Sequence, residues 1–281
     1  MKNLVTCGIL VVLASISVAG QIIDDRFRSP WKNQDRALVI DGNSNNDIDW
    51  EKIRTDNRVA GMIFRSGPVK NATTKKWELK PDRGYEPYRK KAKALGYLWG
   101  SFYIGISSVG PRTQARFYLD NAKPTDDEVM ALDLEDISKE EYMNLDQAVI
   151  FINYIKNATG RYPIVYVTGS VHDAIFNKFG KNSVFSKVPL WYARNTDEIT
   201  PYFAISPWQT YTLWQFSSEI NCCKTVRGKT VCDPPTSCCP FGIDPSVPKI
   251  SGINIDMDVN VFYGTKEELR KAWPFTFKDN R

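Results

Sequence analysis

The stretch VMALDLEDIS, residues 129–138, is apolar as far as Leu132 and then sets Asp133 and Glu135 two positions apart. A strand alternates its side chains between two faces, so positions i and i+2 look the same way, with Cα atoms about 6.6 Å apart at roughly 3.3 Å per residue. Two carboxyl groups held together at the end of an apolar element raise each other's pKa, and poor solvation adds to the effect. One of them then keeps its proton near neutrality. That is the condition for general acid catalysis, and glycoside hydrolysis is the chemistry that most often uses paired acids. The same ten residues also read as a strand end running into a solvated acidic loop, with Asp133, Glu135 and Asp136 all in water.

The elements that would position these acids repeat one grammar. ALVID (37–41) is an apolar run ending in an acid, followed by the turn-forming GNSNN and by DIDWEKIRTD, which has a capping aspartate and helical spacing. VAGMIFRSG precedes a helix around 84–95, YLWGSFYIGI one from about 112, VMALDLED one from about 144 to 157, and PIVYVTGS one over 171–179. VPLWYARN, YTLWQFSS and INIDMDVNVF then follow without a clear helix between the last two. Alternating apolar runs and helical patterns predict parallel βα units. Eight such strands fit an α/β fold of the closed β/α barrel type, in which catalytic groups gather at the carboxyl ends of the strands. An open doubly wound sheet competes, but IDGNSNND offers one glycine where a dinucleotide fingerprint needs three.

Acids mark the ends of several strands: Asp41 on the first, Asp133 and Glu135 on the fourth, Asp256 and Asp258 on the last. Closure makes the first and last strands neighbours, so Asp41 and Asp258 are expected side by side, facing Asp133 and Glu135 across the mouth. With one histidine in the chain, His172, this predicts a site built from carboxylates. Tyr103, Tyr166, Trp191, Tyr192 and Trp214 sit in or just after predicted strands, where aromatic faces could stack on sugar rings, and Gln215 follows Trp214. Core packing is the alternative role for each aromatic.

The chain has 281 residues, 42% of them hydrophobic, enough for a large core. Met1-Lys2-Asn3 precedes the apolar run LVTCGILVVLASISVA, with Ser17 and Ala19 at the spacing a signal peptidase prefers. Cleavage after Ala19 and export, to the medium or a periplasm, are expected. A polar lead-in over 20–36 and a barrel domain over 37–281 come next, with no stable membrane insertion once the signal is removed. The formal charge of +5, one less without Lys2, is too small and dispersed to argue for nucleic acid. Five cysteines remain after the signal: Cys222, Cys223, Cys232, Cys238 and Cys239. In an exported chain such a cluster predicts a disulfide-braced loop, with the odd thiol free or paired between chains. Zinc is the rival reading, but the pairs lack the two-residue spacer of zinc knuckles and His172 is distant. No metal or cofactor is expected.

The ordered series VIDGNSNNDIDW, GMIFRSG, MALDLED, VYVTGS, LWYAR, LWQFSS and MDVNVF resembles glycoside hydrolase family 25, the Chalaropsis-type lysozymes or N-acetylmuramidases, over about residues 37–263. The resemblance implies a modified barrel of five βα units plus further strands, cleaving the β-1,4 bond between N-acetylmuramic acid and N-acetylglucosamine in peptidoglycan. It implies Glu135 as general acid. Asp133 would orient the substrate's acetamido group or stabilise positive charge at the anomeric carbon. Asp41 and Asp258, the latter in an Asp-x-Asn signature ending at Asn260, would hold substrate and tune the pair. The chain departs from the family pattern in three places. Phe102 and Tyr103 stand where Tyr and His are usual, the first loop is a residue shorter, and residues 219–248 form an insertion read as disulfide-braced. A silent glycan-binding module on the same barrel and a chitin-directed hydrolase are the competing functions.

Overall fold

The structure, a computed structural model, describes residues 24–194, 196, 198–217, 224–226, 229–231, 250–253 and 257–276. The expected signal segment, all five cysteines after it and Asp256 lie outside the described residues. So does most of the expected insertion, within which the backbones of β10 (Lys224–Val226) and β11 (Lys229–Val231) pair antiparallel.

Eight strands close into a barrel. In chain order they are β1 (Arg36–Gly42), β2 (Val59–Gly67), β5 (Leu98–Ile104), β6 (Val129–Leu134), β7 (Ile164–Thr168), β8 (Leu190–Ala193), β9 (Leu213–Ser217) and β12 (Asp258–Thr265). Neighbours around the barrel run β1-β12-β9-β8-β7-β6-β5-β2. All eight expected strands are present, and β3 (Val69–Lys70) with β4 (Trp77–Glu78) adds a short hairpin beyond β2. The first five βα units use α1 (Trp50–Ile53), α2 (Tyr85–Ala94), α3 (Pro111–Ala122), α4 (Leu145–Thr159) and α5 (Gly169–Phe179). β12 departs from the parallel expectation, because it pairs antiparallel with both β1 and β9. Its first residue, Asp258, therefore lies at the rim where the parallel strands end, directly opposite Asp41.

Local chemistry explains the helices. In α4, Asn144 accepts from the Gln147 backbone while Gln147 reaches back to the Asn144 N–H, and Gly160 ends the helix at a φ of 74°. Leu145, Ala148, Phe151, Ile152 and Ile155 recur at helical spacing and are all buried. Every residue of β6 is buried too, as expected of a strand covered on both faces.

Two apolar shells result. One fills the barrel, with Val39, Ile63, Phe102, Ala131, Tyr166 and Trp191 among its members. The other lies between barrel and helices and includes Phe64, Tyr103, Tyr118, Phe151, Tyr192 and Trp214. The end away from the acids is closed by the C-terminal helix Lys266–Ala272 and by residues 273–275. There the indole N–H of Trp273 donates to the Trp99 carbonyl at 3.2 Å, and Phe275 stacks on Phe262 with ring centroids 6.0 Å apart. The lead-in is part of the body, since Trp31 is buried and stacks on Phe216 at 4.5 Å.

Candidate active site

A cavity of about 350 Å³ opens at the carboxyl ends of the parallel strands. Asp133 from β6, Glu135 one residue beyond it, Asp41 from β1 and Asp258 from β12 all line it. The two acids of the opening stretch thus share one side, as their spacing requires. Asp133 is the deeper, only 5% exposed, and Glu135 is half-buried nearer the mouth.

Cross-strand pairing sorts the remaining candidates, because residues paired in adjacent strands face the same side. Ile104 pairs with Asp133, Asp133 with Tyr166, and Tyr166 with Trp191, so all four point inward. Gln215, next to Ala193 on β8, also lines the cavity. Tyr103 pairs with Leu132, and Tyr192 pairs with both Val167 and Trp214, which places these three aromatics on the outer face. They are fully buried against helices and the lead-in: Tyr103 stacks on Phe151 at 5.5 Å, Tyr192 lies 5.2 Å from His172, and Trp214 packs edge-on to Trp31 at 5.0 Å. The expectation that Tyr103, Tyr192 and Trp214 meet a sugar is therefore corrected. Each is adjacent in sequence to an inward residue (Phe102, Trp191 and Gln215), and consecutive strand residues cannot share a face.

Two amides tie the acids together. Asn260 donates from Nδ2 to Asp41 Oδ2 at 2.7 Å and to the Val39 carbonyl at 2.9 Å, while its Oδ1 accepts from the Trp191 indole at 2.5 Å. Gln215 donates from Nε2 to Asp41 Oδ2 at 3.2 Å and to Asp258 Oδ2 at 3.4 Å, while its Oε1 accepts from the Tyr166 hydroxyl at 3.0 Å. An indole N–H and the phenol O–H thus occupy the amide oxygens, so each amide presents N–H groups to the carboxylates.

Burial dominates the electrostatics. It pushes Asp41 up to about 7, against the lowering effect of the Asn260 and Gln215 donors and with help from the Glu135 charge. Asp133 is held well above the usual carboxylate range, first by burial, then by the charges of Glu135 and Asp41; Arg65 opposes the shift. Glu135 is raised as well, by burial first, with Lys139 opposing. Asp133 Oδ1 is buried and, among the described residues, has no hydrogen-bond partner. A group so placed favours its protonated form, and Asp41, Asp133 and Glu135 influence one another's titration. Arg65 lines the same cavity and is anchored by Asp82 at 2.6 and 2.9 Å.

Several lining residues are not among the site residues expected from the sequence. Phe102 and Ile104 could have been found from strand alternation once Asp133 was taken as inward. Asn43, Asn45 and Asn46 stand in the loop just after β1, a position where barrels carry function. Trp77 and Tyr142 come from excursions beyond β2 and β6, and no local pattern marks them. His172 does not line the cavity; its Nε2 meets Ser206 Oγ at 3.0 Å in the outer shell. Among the described residues no cluster of three His, Cys, Asp or Glu side chains has the arrangement of a metal site.

The chain resembles known proteins in fold and in sequence. Its fold matches that of the muramidase from Trichobolus zukalii with a TM-score of 0.58 at 16% identity, over 85% of this chain and 100% of that one. The bacterial lysozyme from Streptomyces coelicolor gives 0.58 at 18% identity, over 83% and 95%. In sequence, the uncharacterized protein YegX of Escherichia coli O157:H7 is 25% identical over 229 residues, 79% of this chain and 68% of that protein. The two solved structures establish the likeness of fold. The model of "Glycosyl hydrolases family 25" matches residues 40–224, which take in the end of β1, six further barrel strands whole and three of the four cavity acids, Asp41, Asp133 and Glu135, and the chain belongs to that family.

Proposed function

We propose that the protein is an exported muramidase that hydrolyses the β-1,4 bond between N-acetylmuramic acid and N-acetylglucosamine in peptidoglycan. The observation that carries the reading is the placement of Asp133 and Glu135 on one cavity wall, with Asp41 and Asp258 joined by Gln215 on another. Glu135, nearer the mouth and with its proton held more tightly than an ordinary glutamic acid, donates to the glycosidic oxygen as the bond breaks. Positive charge then develops at the anomeric carbon; it favours ionisation of the carboxyl groups around it, and the carboxylates so formed offset it.

Asp133, which lines the cavity below Glu135, is placed to accept from the N–H of a substrate acetamido group. The acetamido oxygen would attack the anomeric carbon to give a cyclic intermediate, and water activated by the Glu135 carboxylate would open it and return the proton. This substrate-assisted route is favoured over a covalent enzyme intermediate, since a group already facing Asp133 needs no further nucleophile. Tyr166, Trp191 and Gln215 would border the bound sugar. The signal over residues 1–19, the barrel domain over 37–281 and secretion belong to the same proposal. Among the described residues no helix is long and apolar enough to cross a membrane.

The test is to incubate the mature protein with purified peptidoglycan and with chitin and to identify the new reducing ends. Muramic acid ends are expected. Release from chitin alone, or tight binding with no release, would defeat the proposal. Glu135→Gln should lower turnover by at least about a hundredfold with the fold intact, the usual worth of a general acid.

A further inference from the structure

The hairpin beyond β2 and the loop beyond β6 meet over one side of the cavity. Lys70 and Trp77 are directly paired across the hairpin, and Lys70 Nζ lies 5.2 Å from the centroid of the Trp77 ring. The same Nζ reaches Glu141 at 2.9 and 3.2 Å. The Trp77 and Tyr142 rings are 6.2 Å apart and inclined by 57°, and both residues line the cavity that holds the acids. The Trp77 indole N–H is shielded from solvent and has no partner among the described residues.

Both supports are held in place. The turn of the hairpin is closed by the Asn71 side chain, whose Oδ1 accepts from the backbones of Thr73 and Thr74 and whose Nδ2 donates to Glu78 at 2.7 Å. The loop that carries Glu141 and Tyr142 is hydrogen-bonded to the segment after β5, through Ser107 N to the Glu141 carbonyl and Met143 N to the Gly105 carbonyl, each at 3.0 Å. A half-buried tryptophan and tyrosine, fixed from behind and lining the cavity, offer the apolar faces on which the C–H groups of a pyranose ring stack.

We propose that Trp77 and Tyr142 form a sugar-stacking subsite for a further N-acetylated residue of the same glycan strand, and that the Lys70–Glu141 pair positions the Trp77 arm over it. The proposal rests on the glycan-hydrolase reading of the cavity and adds the residues that select for strand length. Lys70 and Glu141 are positioning residues, since they act through Trp77 and Tyr142. Their side chains are each more than a third exposed, so the pair orients the arm and adds little to stability.

The test uses soluble, uncrosslinked peptidoglycan glycan strands as the probe, with two readouts on the full mature chain. In turnover, Trp77→Ala is expected to raise KM about tenfold or more with kcat changed less than about threefold, and Trp77→Phe to restore most of the affinity, because a ring face is what the sugar meets. In equilibrium titration of the Glu135→Gln background, adding Trp77→Ala should weaken binding by a similar factor. Lys70→Met, which leaves the tryptophan in place, should raise KM by about two- to fivefold, and Lys70→Met with Glu141→Gln no further, since both break one pair. An unchanged KM and unchanged binding in Trp77→Ala would overturn the subsite, as would a fall in kcat alone or a Trp77→Phe variant no better than Trp77→Ala. An unchanged KM in Lys70→Met would overturn the role of the ion pair. If the parent chain turns over no strands, the muramidase reading fails, while the binding comparison still decides whether Trp77 holds a sugar.

Discussion

Asp41→Asn should change how stability depends on pH. The Asp41 carboxyl is 5% exposed, and burial lifts it to about 7 despite donors from Asn260 at 2.7 Å and Gln215 at 3.2 Å. In the unfolded chain an aspartate titrates near 3.9. Between these values the native state holds a proton that the unfolded state has released, so stability falls as pH rises. The contribution is fully present below about pH 4 and is lost as pH climbs through about 7. One retained proton corresponds to about 1.4 kcal/mol per pH unit, or roughly 4 kcal/mol over the whole window as an upper bound, because Asp133 and Glu135 titrate with it. Asparagine removes the titration. Its own packing cost, an amide N–H set against the Asn260 donor, is the same at every pH and drops out of the comparison. Urea unfolding of parent and variant at about pH 4.5 and about pH 6.5 should show the stability difference moving in favour of the variant by about 2–3 kcal/mol at the higher pH. A difference that stays constant within about 0.5 kcal/mol would show that the two amide donors, and not burial, set the charge state of Asp41, and the account of the cavity electrostatics would be refuted.

Asn260→Asp places a carboxylate where Asp41 now receives its shortest hydrogen bond and leaves the Val39 carbonyl without its donor; a loss of about 3 kcal/mol or more at neutral pH, measured by chemical unfolding, is expected, and smaller in acid. Tyr166→Phe frees the Gln215 amide oxygen, so kcat/KM should fall by roughly tenfold with a stability change near 1 kcal/mol, both measurable on the same preparation. Tyr103→Phe should leave kcat/KM within about twofold and stability equal or slightly higher, since the hydroxyl is buried in the outer shell without a partner among the described residues. The alkaline limb of the kcat/KM profile should lie above the ordinary glutamate range, because raising pH ionises Glu135 and removes the transferable proton; a limb at the ordinary value would count against Glu135 as the acid.

Much of the architecture is written locally in the chain. Apolar runs and helical spacing mark all eight barrel strands and the five helices of the βα units, because those periods follow from backbone geometry over a few residues. The spacing of Asp133 and Glu135 settles that they look the same way, and acids at strand ends forecast the rim. Alternation also limits the aromatic residues, since Trp191 and Tyr192, or Trp214 and Gln215, are consecutive and cannot both face inward.

Which member of each pair turns inward is another matter, because that phase is fixed when neighbouring strands pair and the barrel closes around Asp133. The same closure sets β12 antiparallel, bringing Asp258 beside Asp41 and Asn260 onto its carboxylate across 219 positions of chain. Trp77 and Tyr142 meet only because two loops lean together over the cavity. Sequence by itself determined the alternation of elements and the acids they carry, since short-range sterics and periodicity decide those. Tertiary structure alone decided which side chains converge, since contacts between distant segments depend on the packing of the whole barrel and leave no periodic trace in either segment.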